Sequence, residues 1–238
     1  MKLTSTTRWV TTLSFAVFVL LAVYADHGGI WWPETYFLSY LHSGQSLEGK
    51  TYAHLISDLG RGRSLLPLAL CPVLVLMARK DWRSVLFVIS CLGVSLINPL
   101  LKLVLHRGRP VLLNGHVADW NYGFPSGHAT LSSAVVCAML YVALVYYRQG
   151  KMKVWVFGAA AAMGLSFVVA VAWSRMYLQA HYPSDIIGGW ASSLAWVGCM
   201  RLKLWKDAAI PGSRADILEG PSNHQKSTTE TFAHKVTA

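Results

Sequence analysis

The length of its uncharged stretches restricts this chain more than any other feature. Six segments, at 9–25, 64–78, 85–105, 128–147, 154–173 and 185–200, are almost continuously apolar. A bilayer-spanning helix takes about 20 such residues. Runs of this length are too long and too continuous for strands. In hydrocarbon the backbone must also satisfy its own hydrogen bonds, which a helix does within one segment. The expected fold class is therefore all-α, a bundle of six transmembrane helices. Composition agrees: 54% of the 238 residues are hydrophobic and 13% are charged, against about 25% charged in soluble domains.

The net charge is +10, from 21 basic and 11 acidic residues. A nucleic-acid module would place such charge on the face of a soluble core. Here the basic residues punctuate apolar runs, so the expected partner is the lipid bilayer and no nucleic acid. Cys71, Cys91, Cys137 and Cys199 all lie inside apolar runs and form no CxxC pair. They read as small hydrophobes, with nothing in the spacing to suggest metal or redox chemistry.

Short basic clusters follow alternate spans: Arg79, Lys80 and Arg83; Arg148, Lys151 and Lys153; Arg201, Lys203 and Lys206; with Lys2 and Arg8 before the first. The positive-inside rule makes that face cytoplasmic and puts both termini there. The segments 26–63, 106–127 and 174–184 then face the periplasm or outside of an inner-membrane protein. Trp31 and Trp32 in the first of these are expected at the interface, and its middle as a short helix lying on the membrane. A cleaved signal peptide is the alternative reading of the first span, and it would leave the other five in the same orientation. The membrane domain is expected over 1–206. The polar stretch 207–238 is expected to be a disordered cytoplasmic tail.

Three clusters break the apolar background, all on the outer face. They are Lys102 with Arg109-Pro110, Pro125-Ser126-Gly127-His128, and Ser174-Arg175 with His181 and Asp185. Guanidinium forks match phosphate oxygens, and lysine adds a point charge. The fourth span begins at Ser126-Gly127, where free N–H groups make an anion site. Lys102, Arg109, Ser126, Gly127 and Arg175 thus form a candidate phosphate cradle. Asp185, four residues after His181, can fix the tautomer of that ring and leave the other nitrogen as nucleophile. His128 beside the cradle can protonate a leaving oxygen and then activate water. Each residue has a plainer role when taken alone: the cations as snorkelling side chains, Ser126 as a helix cap, Asp185 as a charge at a helix N-terminus. As a set of ionisable groups on one face of a membrane protein they point to function. Arg61, Arg63, His106 and Arg107 read first as interfacial residues, and secondarily as aids for a larger anionic head group.

These clusters resemble the type 2 phosphatidic acid phosphatase superfamily, which includes vanadium haloperoxidases and soluble acid phosphatases. Its pattern is Lys, six residues, Arg-Pro; then Pro-Ser-Gly-His; then Ser-Arg, five residues, His, three residues, Asp. The chain matches all eleven fixed positions between 102 and 185 in order. The resemblance implies an integral-membrane, metal-independent lipid phosphatase without cofactor, working through a phosphohistidine on His181 with Asp185 as its partner and His128 as acid. Substrates in the family include phosphatidate, phosphatidylglycerol phosphate, undecaprenyl diphosphate, sphingoid phosphates and the lipid A 1-phosphate. The small size and short loops favour undecaprenyl diphosphate or phosphatidate-type lipids, with lipid A next. A phosphotransferase would use the same phosphohistidine with a lipid acceptor. A non-catalytic lipid-binding relative would lack one of the two histidines, and haloperoxidases are soluble. The motifs are silent on oligomeric state.

Overall fold

The structure, a computed structural model, describes residues 3–28, 30–110 and 122–205. The expected tail at 207–238 lies outside the described residues. Among them are nine helices and no strands: α1 (Leu3–Asp26), α2 (Trp32–Ser43), α3 (Leu47–Leu59), α4 (Gly62–Ala78), α5 (Trp82–Leu92), α6 (Val94–Leu105), α7 (Gly127–Arg148), α8 (Val154–Tyr177) and α9 (Pro183–Leu204). The all-α expectation holds.

The helices depart from the six even spans read from the sequence. Four helical stretches are long and apolar enough to cross a membrane: Ser5–Asp26, Trp82–Leu105, Gly127–Arg148 and Val154–Tyr177. A fifth arises if α3 and α4, bent by 52° where they meet, are taken together. The expected second span therefore gains its missing length from α3, across a break at Gly60–Arg61. The expected third span is α5 and α6 separated by Gly93. At 22 residues, α9 has the length, about 33 Å at 1.5 Å per residue. Its composition differs for a physical reason. It faces other helices along much of its length, so its buried positions include Ser184, Asp185, Gly188, Gly189, Ser192, Ser193 and Arg201.

The packing follows from these faces. α9 lies between α1, α7 and α5, and α7 also packs on α8. Small residues let the backbones approach, as is common between helices in membranes. A Cβ at Gly198 would overlap the Thr11 hydroxyl of α1. Ser193 Oγ donates across to the Thr130 carbonyl of α7 at 2.6 Å. Buried residues make up 56% of the most apolar window of α7 but only 11% of that of α8. The α8 side chains Met163, Leu165 and Val169 are exposed, the pattern of a lipid-facing surface. At one end of the bundle Phe87, Tyr141 and Trp205 pack ring against ring, with centroids 4.9 to 5.3 Å apart.

The segment expected as a loop with a short surface helix, 26–63, contains both α2 and α3. Ser46 caps α3 by accepting from the Gly49 N–H at 2.9 Å. Trp31, Trp32, Tyr36 and Tyr40 are exposed around α2, in keeping with an interfacial helix.

Candidate active site

Alternation of helix direction gathers the three motifs. The C-termini of α6 and α8 and the N-termini of α7 and α9 share one end of the bundle, opposite the Phe87–Tyr141–Trp205 cluster. Each motif sits at one of those termini.

His181 lies in the turn between α8 and α9. Gln179 takes a left-handed φ of 54°, unusual for a residue with a long side chain. Its side chain compensates by donating to the Leu38 carbonyl at 2.7 Å. The turn delivers His181 inward, where it is 1% exposed. α9 then starts with Pro183, favoured in a first helical turn. Asp185, the third residue of that helix, is fully buried. Its Oδ2 accepts from the Tyr182 N–H at 2.9 Å and faces His181 Nδ1 at 3.4 Å. The two expected roles of Asp185, at the helix N-terminus and beside the histidine, are thus filled by one oxygen. The His–Asp contact is long for a hydrogen bond. Burial pushes the His181 imidazole well below its usual pKa, and Arg175, Arg109 and Lys102 push it further. Both effects favour the uncharged ring.

The cradle residues sit around it. Arg175, in the last turn of α8, is 8% exposed and donates from Nη1 to Ser57 Oγ of α3 at 2.6 Å. Ser174 is fully buried and bonds back to the Val171 carbonyl, so its hydroxyl serves its own helix. Lys102, half-buried, donates to the carbonyl oxygens of Tyr122 at 2.6 Å and Gly123 at 3.4 Å. It therefore holds the segment leading into the second motif. Half-buried Arg109 lies within reach of the Asp185 charge; burial lowers its pKa and Asp185 opposes that. Ser126 precedes α7 but makes no side-chain cap. Its N–H donates to the Asp185 carbonyl at 3.0 Å, tying the second motif to the third. The first N–H groups of α7, from Gly127 and His128 onward, have no partner within the helix. A Cβ at Gly127 would fall 3.3 Å from Asn98 Oδ1. The glycine thus answers to a neighbouring amide as well as to the open N-terminus.

Ser126 Oγ, His128 Nε2 and Arg175 Nε are buried with no hydrogen-bond partner among the described residues. Such atoms cost about 1–3 kcal/mol each when nothing satisfies them. A polar ligand held between the motifs would satisfy all three.

Several supporting residues escaped the sequence reading. Asn98 of α6 donates to Thr130 Oγ1 at 3.1 Å, joining α6 to the first turn of α7. Ser57 holds Arg175. Gly123 lies against the acid: a Cβ there would fall 3.0 Å from Asp185 Oδ2. Arg107 needs a correction. Read first as interfacial, it is 3% exposed and donates from Nη1 to Asp185 Oδ1 at 2.8 Å. Its counterpart Glu34, in the first turn of α2, is 6% exposed. An acidic residue within an aromatic-rich interfacial segment was the available signal. His106 is exposed, and Arg61 and Arg63 pair with Asp58 at 3.0 and 3.8 Å near the surface.

Apolar helices and a histidine–carboxylate pair set among arginine and lysine define a multi-pass membrane phosphoric ester hydrolase. The chain belongs to the PAP2 superfamily, whose model matches residues 83–208, more than half of it and all three motifs. Phosphatidylglycerophosphatase B of Bacillus subtilis (strain 168) is 29% identical over 143 residues, covering 58% of this chain and 67% of that protein. An undecaprenyl-diphosphatase of Sulfolobus acidocaldarius is 25% identical over 150 residues, covering 60% and 65%. Two crystal structures share the fold. The transmembrane PAP2-type phosphatidylglycerolphosphate phosphatase from Bacillus subtilis superposes with a TM-score of 0.68 at 20% identity, over 84% of this chain and 98% of that one. Aquifex aeolicus LpxE gives 0.51 at 18% identity, over 71% and 94%.

Proposed function

We propose that this chain hydrolyses a phosphomonoester or diphosphate lipid through a phosphohistidine on His181. The observation that carries this reading is the buried His181 backed by Asp185, beside unpartnered polar atoms of Ser126, His128 and Arg175. Nδ1 faces the carboxylate, so Nε2 attacks phosphorus. As the P–N bond forms, the bond to the lipid oxygen breaks and His128 supplies a proton to that oxygen. Lys102, Arg109, Arg175, Ser126 and the N–H groups of α7 hold the equatorial oxygens, where charge spreads in the transition state. His128, now deprotonated, then takes a proton from water as that water attacks phosphorus. Inorganic phosphate leaves and Nε2 is restored.

The topology that accompanies this function is six spans, counting α3–α4 as one bent span and α9 as the central one. The site end faces the periplasm or outside, because the Arg79–Arg83, Arg148–Lys153 and Arg201–Lys203 clusters all fall at the other end. The site then meets lipid head groups in the outer leaflet of the inner membrane. Undecaprenyl diphosphate and phosphatidate-type lipids, phosphatidylglycerol phosphate among them, are the preferred substrates, in line with the names of the two sequence relatives. Lipid A 1-phosphate and transfer to a lipid acceptor are the alternatives.

The test is phosphate release by purified protein in detergent across these four lipids, with a labelled second lipid as acceptor. Release from undecaprenyl diphosphate or a phosphatidate-type lipid is expected. Label appearing on the acceptor with little free phosphate would replace hydrolysis by transfer. No turnover of any of the four would overturn the substrate class.

A further inference from the structure

Three buried charges, Glu34, Arg107 and Asp185, form a chain that reaches from the surface helix α2 to the partner of His181. Arg107 donates from Nη1 to Asp185 Oδ1 at 2.8 Å and to Ser184 Oγ at 2.6 Å. From Nη2 it donates to Glu34 Oε2 at 3.2 Å. Glu34 uses its other oxygen, Oε1, to accept from the Ser184 backbone N–H at 2.7 Å. That N–H belongs to the first turn of α9, one of the donors a helix cannot satisfy internally. Glu34 is therefore a cap supplied from 150 residues away. The Tyr24 hydroxyl of α1 donates to the same carboxylate at 3.4 Å. The guanidinium lies against two rings, 4.8 Å from the centroid of Tyr182 and 5.4 Å from that of Tyr24. Arg107 and Asp185 side chains are 2% and 0% exposed.

This arrangement does more than bury a salt bridge. Asp185 has two oxygens, and only Oδ2 turns to His181. Arg107 occupies Oδ1 and so fixes the rotation of the carboxylate about its own bond. Without the cation, Glu34 and Asp185 would be two buried carboxylates in one site, and one of them would take up a proton. A protonated Asp185 holds the His181 ring less firmly and stabilises its developing charge less. Glu34 in turn fixes Arg107, because a single fork cannot hold its orientation against two aromatic faces alone. Lysine could not replace it, having one nitrogen for two carboxylates.

We infer that Arg107 and Glu34 are positioning residues for the reaction, aligning Asp185 on His181, and that α2 is thereby part of the site's support. The inference rests on the reading of His181 as nucleophile. In this reading neither residue belongs to the phosphate cradle, so their loss acts on the chemical step and spares binding.

The experiment uses the full-length chain in detergent with the lipid it turns over fastest. It compares Glu34→Gln, Glu34→Asp, Arg107→Lys and the double variant Glu34→Gln/Arg107→Lys with the parent and with His181→Ala. Read-outs are kcat, KM and competitive inhibition by inorganic phosphate, each normalised to protein that elutes as a folded peak. Glu34→Gln and Arg107→Lys are expected to lower kcat by about 10–100-fold, the usual range for residues that orient a reacting side chain. KM and the phosphate inhibition constant should stay near the parent values. Glu34→Asp, which keeps the charge, should recover part of kcat. The double variant should be no slower than the slower single one, because both act through Asp185. Parent-like kcat in Glu34→Gln, or losses that multiply in the double variant, would overturn the inference. A fall confined to the folded fraction, with kcat per folded molecule unchanged, would also overturn it by reducing the pair to a structural staple. If His181→Ala itself remains active, the nucleophile assignment fails instead, and the two failures are told apart.

Discussion

The two ends of the bundle carry the same kinds of residue and use them differently. At the site end the charged side chains turn inward. Arg107, Arg175 and Asp185 are all buried, and their partners are carboxylates, hydroxyls and backbone N–H groups. At the opposite end most of the cations lie on the surface. Arg83 stacks 5.0 Å from the Trp205 ring, while Arg79 and Lys151 lie 5.8 and 5.7 Å from the Tyr146 ring. Arg83 also donates to the last carbonyl of α9, that of Leu204, at 3.0 and 2.6 Å. Arg201, although buried, follows the same habit, stacking on Tyr141 and bonding its hydroxyl. Cations resting on rings and helix C-termini keep their water and stabilise modestly. Cations buried against carboxylates give up water, and such groups inside a membrane protein default to function. The difference is therefore one of partners and burial, which the identity of the residue does not reveal.

If that contrast is right, substitutions at the two ends should separate by orders of magnitude. The largest effect is expected from His181→Ala. With the proposed nucleophile gone, phosphate release should fall by about 10⁴-fold or more, since groups acting as a unit fail together. Measured release within tenfold of the parent would end the covalent mechanism. Arg175→Lys should come next. Lysine keeps the charge but cannot serve Ser57 and a phosphate oxygen with one fork, so a loss of about 10²-fold in kcat is expected. Steady-state kinetics in detergent would check it, and an unchanged kcat would mean that Arg175 is a structural cation like those at the far end.

How much of this was legible beforehand differs between the same two regions. The site-end motifs were readable because spacing alone places Lys102, Arg109, His128, Arg175, His181 and Asp185 at helix ends, and alternation of direction brings those ends together. Helix bending was not readable. The apolar pattern around 47–78 gives no sign that α3 and α4 meet at 52°. Gly60 and Arg61 break the helix there because Asp58 captures Arg61 and Val171 packs too near Gly60 for a Cβ. The burial of Arg107 was not readable either. It stands two residues from Arg109 in a segment rich in basic residues, and what distinguishes it is Glu34, 73 residues earlier. Pairings over that distance depend on where α2 docks. Docking is set in turn by bonds such as that from the Gln179 side-chain amide to the Leu38 carbonyl, which no periodicity encodes. The central place of α9 was half visible: its glycines and serines show that it packs closely, but not against which neighbours.

The smallest effect is expected at the far end, and it sharpens the comparison most, because it uses the same residue type. Arg83→Gln removes a guanidinium from above Trp205 and two hydrogen bonds to the Leu204 carbonyl. An exposed cation over a ring contributes about 0.5–1 kcal/mol. The carbonyl lies at a helix C-terminus, where water can take over the lost bonds at little cost. The expected outcome is a loss of about 1 kcal/mol in unfolding free energy, with kcat and KM unchanged. Unfolding in detergent followed by tryptophan fluorescence suits the measurement, since Trp205 reports on the site directly. Should Arg83→Gln instead lower kcat as Arg175→Lys does, the far end would be coupled to the chemistry. The division between a functional and an architectural end would then have to be abandoned. Should it leave stability untouched as well, the stacking on Trp205 would be incidental, and the basic clusters at that end would act only through the membrane's own charge.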